Sequence, residues 1–302
     1  MDPKDAYLKV EEEMRKHIAG KNDVIKLLFI ALLANGHVLL EGVPGVAKTT
    51  MSKALADTID GDFKRIQCMP DLAVSDIIGG VYDNPAGEPE IRKGPIFTNI
   101  LLMDELNRAP PRTMSGFLEA LEERQITVGG TDIKLPEPFM ALATQNPLRI
   151  EGTEQIPKVL ADRFLLRVEV TYPSMEEEEQ MIRLKEAEAS VQTNKVLGKQ
   201  DIIDMQKQVK TVTLPDDVGK YITQIVEASR TEMHVVMGAS PRSTLAFMLC
   251  GKAKALIEGR SEVSREDIKF LARPVLSHRI IVRSTGGIGI GGIVDGILAS
   301  LG

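Results

Sequence analysis

The 302-residue sequence has no tryptophan, and aromatic residues make up only 4% of it. That leaves few flat rings on which unpaired bases could stack. Its two cysteines, Cys68 and Cys250, stand alone, with neither CxxC spacing nor a neighbouring histidine cluster. They exclude a disulfide framework and a cysteine-rich zinc site and point to a reducing compartment. The four histidines, His17, His37, His234 and His278, lack metal-ligand spacing. Positive charge is not in excess. Against 43 acidic residues stand 37 basic ones, a net charge of -6 with a pI near 5.5, which argues against a whole-surface nucleic-acid binder while leaving room for a local basic face. The longest clean apolar run, Leu27 to Ala34, is too short to span a bilayer, so membrane insertion is not expected. The acidic, helical start carries no secretory signal, and the expected location is cytoplasmic. What remains is 43% hydrophobic and 26% charged, the proportions of a globular chain long enough for two domains or one large one.

Asp2-Pro3 is a helix start, with Asp as cap and Pro at the first helical position. Periodic apolar positions then run to Gly20, a C-terminal stop. Asn22 or Asp23 caps a second helix that ends at Asn35-Gly36. From there short apolar runs alternate with helical stretches: His37–Leu40, Phe63–Gln67, Ile100–Met103, Phe139–Ala143 and Phe164–Val168. This alternation predicts an α/β fold, a mainly parallel sheet between helices. The segment Ile126–Leu135, with Gly129-Gly130 between two alternating halves, is a hairpin. The Gly/Pro-rich stretch 79–95 is an inserted loop or second hairpin. After Tyr172-Pro173 the strands stop, and Ser174 with Glu177 forms a capping box that opens an acidic helix. Further helices follow at 199–209, 216–233, 241–259 and 264–272, so an α/β domain over 1–172 precedes a helical one over 173–302. A glycine-rich tail from Ser284 to Gly292 leads into a short amphipathic helix, Ile293–Leu301. Glu176–Glu179 reads as a solvated helix face, and the scattered methionines as core filler.

Chemistry is concentrated in a few places. Gly42, Val43, Pro44, Gly45, Val46, Ala47, Lys48 and Thr49 follow an apolar strand and open a helix. Such a loop turns successive amides inward, adds the positive end of a helix dipole, and lets Lys48 reach the β- and γ-phosphates while Thr49 ligates magnesium. Ala47 stands where the strict pattern has Gly, which is tolerable if its φ is negative, as a helix start would provide. Ile100–Glu105 is an apolar strand ending in two carboxylates, Asp104 to hold magnesium and Glu105 to polarise the attacking water. Asn146 ends a further strand, where it either orients that water or belongs to a Gln-Asn-Pro turn. Arg163, before a strand, and Arg242, at a helix start, suit transition-state charge stabilisation, Arg163 across a subunit boundary and Arg242 from the helical domain. The alternative for each is a surface ion pair, such as Arg163 with Asp162.

EGVPGVAKT, LLMDELNRAPP, LATQNP, ADRF and GASPR, in this order and at these spacings, resemble the MoxR family of AAA+ ATPases from about Ile18 to Arg279. The resemblance implies Walker A at Gly42–Thr49, continued by Thr50, and Walker B at Ile100–Glu105. It also implies sensor 1 at Asn146, the arginine finger at Arg163 and sensor 2 at Arg242. Gln67 would couple Glu105 to partner binding, and Ile18 and Gly20 would line the adenine pocket. The 79–95 insert corresponds to the family's helix-2 insertion and 125–135 to its pre-sensor-1 hairpin, both facing the pore in related hexamers. Alanine before the motif lysine is common in the family. Lys158 departs from it, standing where relatives usually carry an acidic residue, as does the Gly-rich stretch at 286–292.

The implied function is Mg2+-dependent ATP hydrolysis by a homo-oligomeric ring, a hexamer, with ATP between one subunit and the finger of the next. Hydrolysis would swing the helical lid through Arg242. The ring would act as a chaperone that remodels, matures or metal-loads a client complex, together with a protein bearing a von Willebrand factor A domain. Two other classes compete. A nucleic-acid motor or restriction-type component is disfavoured by the acidic charge, the scarce aromatics, and a hairpin with one lysine and no arginine in ITVGGTDIKL. A non-hydrolysing nucleotide switch is disfavoured by the presence of Glu105, Asn146 and Arg163.

Overall fold

The computed structural model describes residues 1–147, 153–187, 192–283 and 289–302. Helix α1 (Pro3–Arg15) begins where the Asp2 carboxylate accepts from the amides of Lys4 and Asp5 at 3.0 and 3.2 Å. It stops at Arg15, short of the expected Gly20. Helix α2 (Asn22–Leu33) is capped by Lys21 in the left-handed region, so Asn22 and Asp23 lie in its first turn instead of capping it. The Glu177 carboxylate makes this cap work, accepting from the Lys21 ammonium at 2.9 Å and its amide at 3.3 Å. One member of the expected solvated acidic face is thus a tie between distant parts of the chain.

Strand β1 (Val38–Glu41) feeds the phosphate loop and α3 (Lys48–Asp57). Short β2 (Ile59–Asp60), β3 (Phe63–Gln67) and α4 (Val74–Ile78) follow. The 79–95 insert is a hairpin of β4 (Gly79–Asp83) and β5 (Pro89–Lys93). After β6 (Ile100–Asp104) come α5 (Pro111–Ser115) and α6 (Leu118–Glu123). A second hairpin, β7 (Gln125–Val128) and β8 (Thr131–Lys134), turns at Gly129-Gly130, both at the positive φ that a two-residue hairpin turn requires. Then come β9 (Met140–Gln145), α7 (Lys158–Ala161) and β10 (Leu166–Glu169). The five-stranded sheet has the order β10-β1-β9-β6-β3, each neighbour parallel.

Strand parity assigns the layers. Val38, Leu40, Leu102, Leu142 and Val168 face α1–α3 and the helical region, whereas Leu39, Leu101, Met103 and Ala141 face α5 and α6. Parallel register puts Glu41, Gln67, Asp104, Gln145 and Glu169 at the carboxyl edge of the sheet, and Val38, Phe63, Ile100, Met140 and Leu166 at its amino edge.

From Met175 onward helices dominate: α8 (Met175–Ala187), α9 (Lys199–Thr211), α10 (Asp216–Thr231), α11 (Pro241–Ile257), α12 (Arg265–Leu276) and α13 (Ile290–Leu301). Strands do not stop at 172, however. The two-residue β11 (Leu197–Gly198) pairs in parallel with β2, and β12 (Val235–Met237) pairs with β13 (Ile281–Val282). Segments this short have no visible two-residue period. In the glycine-rich tail, residues 284–288 lie outside those described, and α13 starts at Ile290, three residues before the expected Ile293. It takes Gly291 and Gly292 into its first turn, where poor helix propensity hid the start. No helix among the described residues is long and apolar enough to cross a membrane.

Two buried histidines tie these layers together. His37 Nδ1 accepts from the Ala141 amide at 2.9 Å, so its Nε2 donates to the Leu121 carbonyl at 3.1 Å. His278 Nε2 donates to the Phe164 carbonyl at 2.9 Å. Burial, reinforced by Arg124 beside His37 and Arg279 beside His278, holds both pKa values well below 6.5. Each ring therefore stays neutral when folded but takes a proton when unfolded below its ordinary pKa. Stability is full above pH 6.5 and falls as pH drops, by about 1.4 kcal/mol per pH unit for each ring. Urea midpoints measured from pH 7 to 5 are expected to decline, and less steeply in His37→Gln.

Candidate active site

Glycine is required at Gly42 by a close approach: a Cβ there would sit 2.4 Å from the Val170 carbonyl oxygen. Beyond it the loop curls through Gly45 at φ 86 and Ala47 at φ 62. The negative φ expected of Ala47 is thereby corrected. The helix starts one residue later, at Lys48, and Ala47 is its left-handed cap. The Lys48 ammonium donates to the loop's own carbonyls, Gly42 O at 2.6 Å and Val43 O at 2.8 Å. Burial lowers its pKa, while Asp104, Glu105 and Glu41 oppose that shift.

Asp104 is buried at the end of β6. Thr49 Oγ1 lies 3.0 and 3.1 Å from its two carboxylate oxygens, and Thr144 Oγ1 donates to Oδ1 at 2.6 Å. The same Thr144 hydroxyl accepts from the Glu105 amide at 2.8 Å, fixing a backbone turned to φ 56. The Glu105 carboxylate points out beside Arg108 (2.9 Å) and Gln67 Nε2 (3.4 Å). Asn146 follows β9 at the same edge of the sheet, its carbonyl accepting from Asn107 at 3.1 Å. Carboxylate and hydroxyl oxygens are the hard donors that magnesium prefers, and Arg65 on Asp104 shows that the position takes a cation. Lys48, Thr49, Asp104, Glu105 and Asn146 therefore meet at the carboxyl edge. Cys68, next to Gln67, is buried, and its thiol is pushed up to about 12 by burial and the nearby Asp104 and Glu105, which leaves it inert as a nucleophile.

Ile18 lines a narrow cleft with Ala19, Val46, Ala47, Met51 and Met181, beside the phosphate loop. Gly20, between Ala19 and Lys21 of that lining, takes φ 61 and lies against the Glu177 carboxylate.

The two arginines are elsewhere. Arg163 precedes β10, and Glu122 follows Leu121, whose carbonyl holds His37 at the start of β1. Both lie at the amino edge of the sheet. Arg163 pairs with Glu122 at 2.6 Å, and Arg242, brought there by the start of α11, pairs with the same carboxylate at 2.5 Å. Arg242, then Arg163, holds the Glu122 carboxyl below its usual range. The expectation that Arg242 reaches the γ-phosphate of its own chain is overturned. The phosphate loop leaves the opposite edge of the sheet, and β6 alone separates the edges by about 13 Å at 3.3 Å per residue. The pairing of Arg163 with Asp162 is also not what forms. Asp162 accepts from the buried Arg279 at 3.0 Å, and Arg279 further donates to Phe164 O and Val275 O. Lys158, the departure from the family pattern, donates to His278 O at 2.8 Å, an internal tie.

Sequence reasoning missed Arg65, Arg108, Glu122, Thr144 and Arg279. Arg108 and Thr144 stand inside the motifs LLMDELNRAPP and LATQNP, and Arg65 left a weaker signal, since alternation along Phe63–Gln67 puts Arg65 and Gln67 on one face, and Gln67 is in register with Asp104.

Residues 37–166 match the family model described as ATPase family associated with various cellular activities (AAA), and residues 227–287 match that of the AAA lid domain. The chain is 44% identical to the Bacillus subtilis protein YeaC, over 91% of this chain and 86% of that one. It is 36% identical to the Mycobacterium tuberculosis protein named Chaperone MoxR1, over 89% and 74%. A 2.00 Å crystal structure from Cytophaga hutchinsonii, described as a "putative ATPase", superposes with a TM-score of 0.90 at 37% identity, covering 98% of this chain and 94% of that one.

Proposed function

The chain belongs to the MoxR family of AAA+ ATPases, and from that membership we propose that it hydrolyses ATP as a magnesium-dependent hexameric ring that remodels partner protein complexes. The observation that carries the ring is the distance of Arg163 and Arg242 from their own phosphate loop. A nucleotide held at Lys48 lacks both arginines unless a neighbour's amino edge faces it. Such a head-to-tail contact is heterologous and closes when its rotation permits.

In this reading residues 1–172 are the ATPase domain and 173–302 the lid. The amides of Gly42–Thr49, with Lys48 and Thr50, hold the phosphates, and Ile18 flanks the base. Thr49 and Asp104 would hold magnesium, which would supply charge neutralisation at the phosphate oxygens. Glu105 takes the proton of the attacking water, Asn146 orients that water, and the neighbour's Arg163 and Arg242 stabilise the developing charge. The two hairpins belong to one projection towards the pore, Gly129 lying against Val81. The name of the mycobacterial relative supports a chaperone role. A von Willebrand factor A domain partner, and maturation or metal loading of its complex, follow from the family resemblance.

The test is a substrate trap. Tagged Glu105→Gln protein saturated with ATP is recovered from native lysate with and without nuclease, with Lys48→Ala as control. Co-purification of a von Willebrand factor A domain protein or a metalloenzyme subunit, only with the ATP-locked form, is the expected result. Nuclease-sensitive DNA in its place would transfer the assignment to a nucleic-acid motor.

A further inference from the structure

The Asp104 carboxylate is heavily used, and one of its partners is unexpected. On Oδ1 it accepts from Thr49 and Thr144, and on Oδ2 from Arg65 Nη2 at 2.6 Å and Nε at 3.0 Å, with Thr49 again at 3.1 Å. A carboxylate has about four lone-pair sites, so these donors fill it. Nothing further binds there unless one of them leaves.

The donors differ in how easily they go. Thr144 also holds the Glu105 amide, and Thr49 is fixed in the first turn of the phosphate-loop helix. Arg65 stands on the edge strand β3 with half of its side chain in solvent, so it can swing outward without opening a cavity. Among the described residues it is also the one cation paired with this carboxylate, and a divalent ion arriving at Asp104 would repel it. Its other Nη2 contact, 2.5 Å to Gln67 Oε1, joins it to the residue whose amide touches Glu105.

We propose that Arg65 is a resident counter-cation of Asp104, seated there in the nucleotide-free subunit and displaced when magnesium is taken up with the nucleotide. Arg65 then sets how much magnesium the site needs, as a positioning residue that acts through Asp104. Without it Asp104 would stand as a buried carboxylate with no paired cation while the site is empty; with it the carboxylate is compensated at rest and its metal affinity is held down. This inference rests on the assignment of Asp104 as a magnesium ligand.

The test reads binding, not turnover. The affinity of a fluorescent ADP analogue is titrated against Mg2+ for the full chain, for Arg65→Ala and for Arg65→Lys, with a parallel measurement in EDTA. Arg65→Ala is expected to lower the Mg2+ concentration at half-effect by roughly ten- to a hundredfold, the loss of one bidentate charge-assisted competitor. The EDTA affinity should stay within about threefold, because Arg65 touches no residue of the phosphate loop other than through Asp104. Arg65→Lys, which keeps the charge and loses the fork, should fall between. A magnesium midpoint in Arg65→Ala that is unchanged or raised overturns the proposal. Asp104→Asn separates the two levels. If it keeps the full magnesium response, the assignment of Asp104 itself fails. If it abolishes the response while Arg65→Ala behaves as wild type, only the role of Arg65 fails.

Discussion

Equal mixtures of Glu105→Gln and Arg242→Ala subunits are expected to hydrolyse ATP although neither variant does so alone. An Arg242→Ala subunit keeps its Lys48, Asp104 and Glu105 but offers its neighbour a defective amino edge. A Glu105→Gln subunit has a dead nucleotide site but an intact Arg163–Glu122–Arg242 cluster. Where the first subunit's nucleotide faces the second subunit's arginines, one complete site forms. Random assembly makes that arrangement at roughly a quarter of the interfaces, so activity should recover to about that fraction of wild type. Arg163→Ala should complement Glu105→Gln in the same way, and each arginine variant alone should lose about a thousandfold or more in turnover, the range for an arginine finger. The Arg242 mixture carries the sharper outcome. If Arg242 served its own nucleotide, every site with an intact Glu105 in that mixture would lack it, and no activity would return. Turnover per subunit should also rise with protein concentration. Full activity in a dilute monomer would remove the ring altogether.

The part of this site that belongs to one sheet edge was legible in the sequence, and the part assembled between the sheet and the helical region was not. An apolar strand closing in two carboxylates, and a glycine loop between strand and helix, are local patterns whose chemistry follows from spacing. They placed Lys48, Thr49, Asp104 and Glu105 at the edge where the structure has them. Arg242 is different. Its sequence context gave it a helix start, but which edge of the sheet that start meets depends on α11 packing across α1, α2 and α9. Glu122, which receives both arginines, lies 120 residues from Arg242 and in no motif. Arg279 and Asp162 are likewise a pair only in three dimensions, 117 residues apart. The same holds for Glu177, whose local pattern correctly gave a capping box with Ser174, while its bond to Lys21 came only with the fold. Local periodicity carries no information about such partners.

Lys48→Ala and Glu105→Gln should fail in opposite ways, and the contrast locates binding and chemistry on different residues. Lys48 Nζ is held by two carbonyls of its own loop, a position from which an incoming phosphate needs only to replace those oxygens. Its removal deprives the phosphates of a charge-assisted donor of about 1.5–3 kcal/mol, so nucleotide affinity should drop by roughly ten- to a hundredfold. Hydrolysis should be lost with it. Glu105→Gln keeps the side-chain shape, and the fold around it rests on Thr144 holding the backbone amide, which the substitution leaves in place. ATP affinity should therefore stay within about threefold of wild type, while turnover falls about a hundred- to ten-thousandfold with the loss of the general base. Equilibrium binding of a fluorescent ATP analogue beside steady-state phosphate release separates the two. Normal turnover in Glu105→Gln would mean that another group takes the proton, and Asp104 is poorly placed to be it. Its oxygens are committed to Thr49 and Thr144 and, with magnesium in the place of Arg65, to the metal side of the site, so a base at this edge of the sheet has to be a carboxylate with a free face, and Glu105, 44% exposed, is the one that directly follows β6.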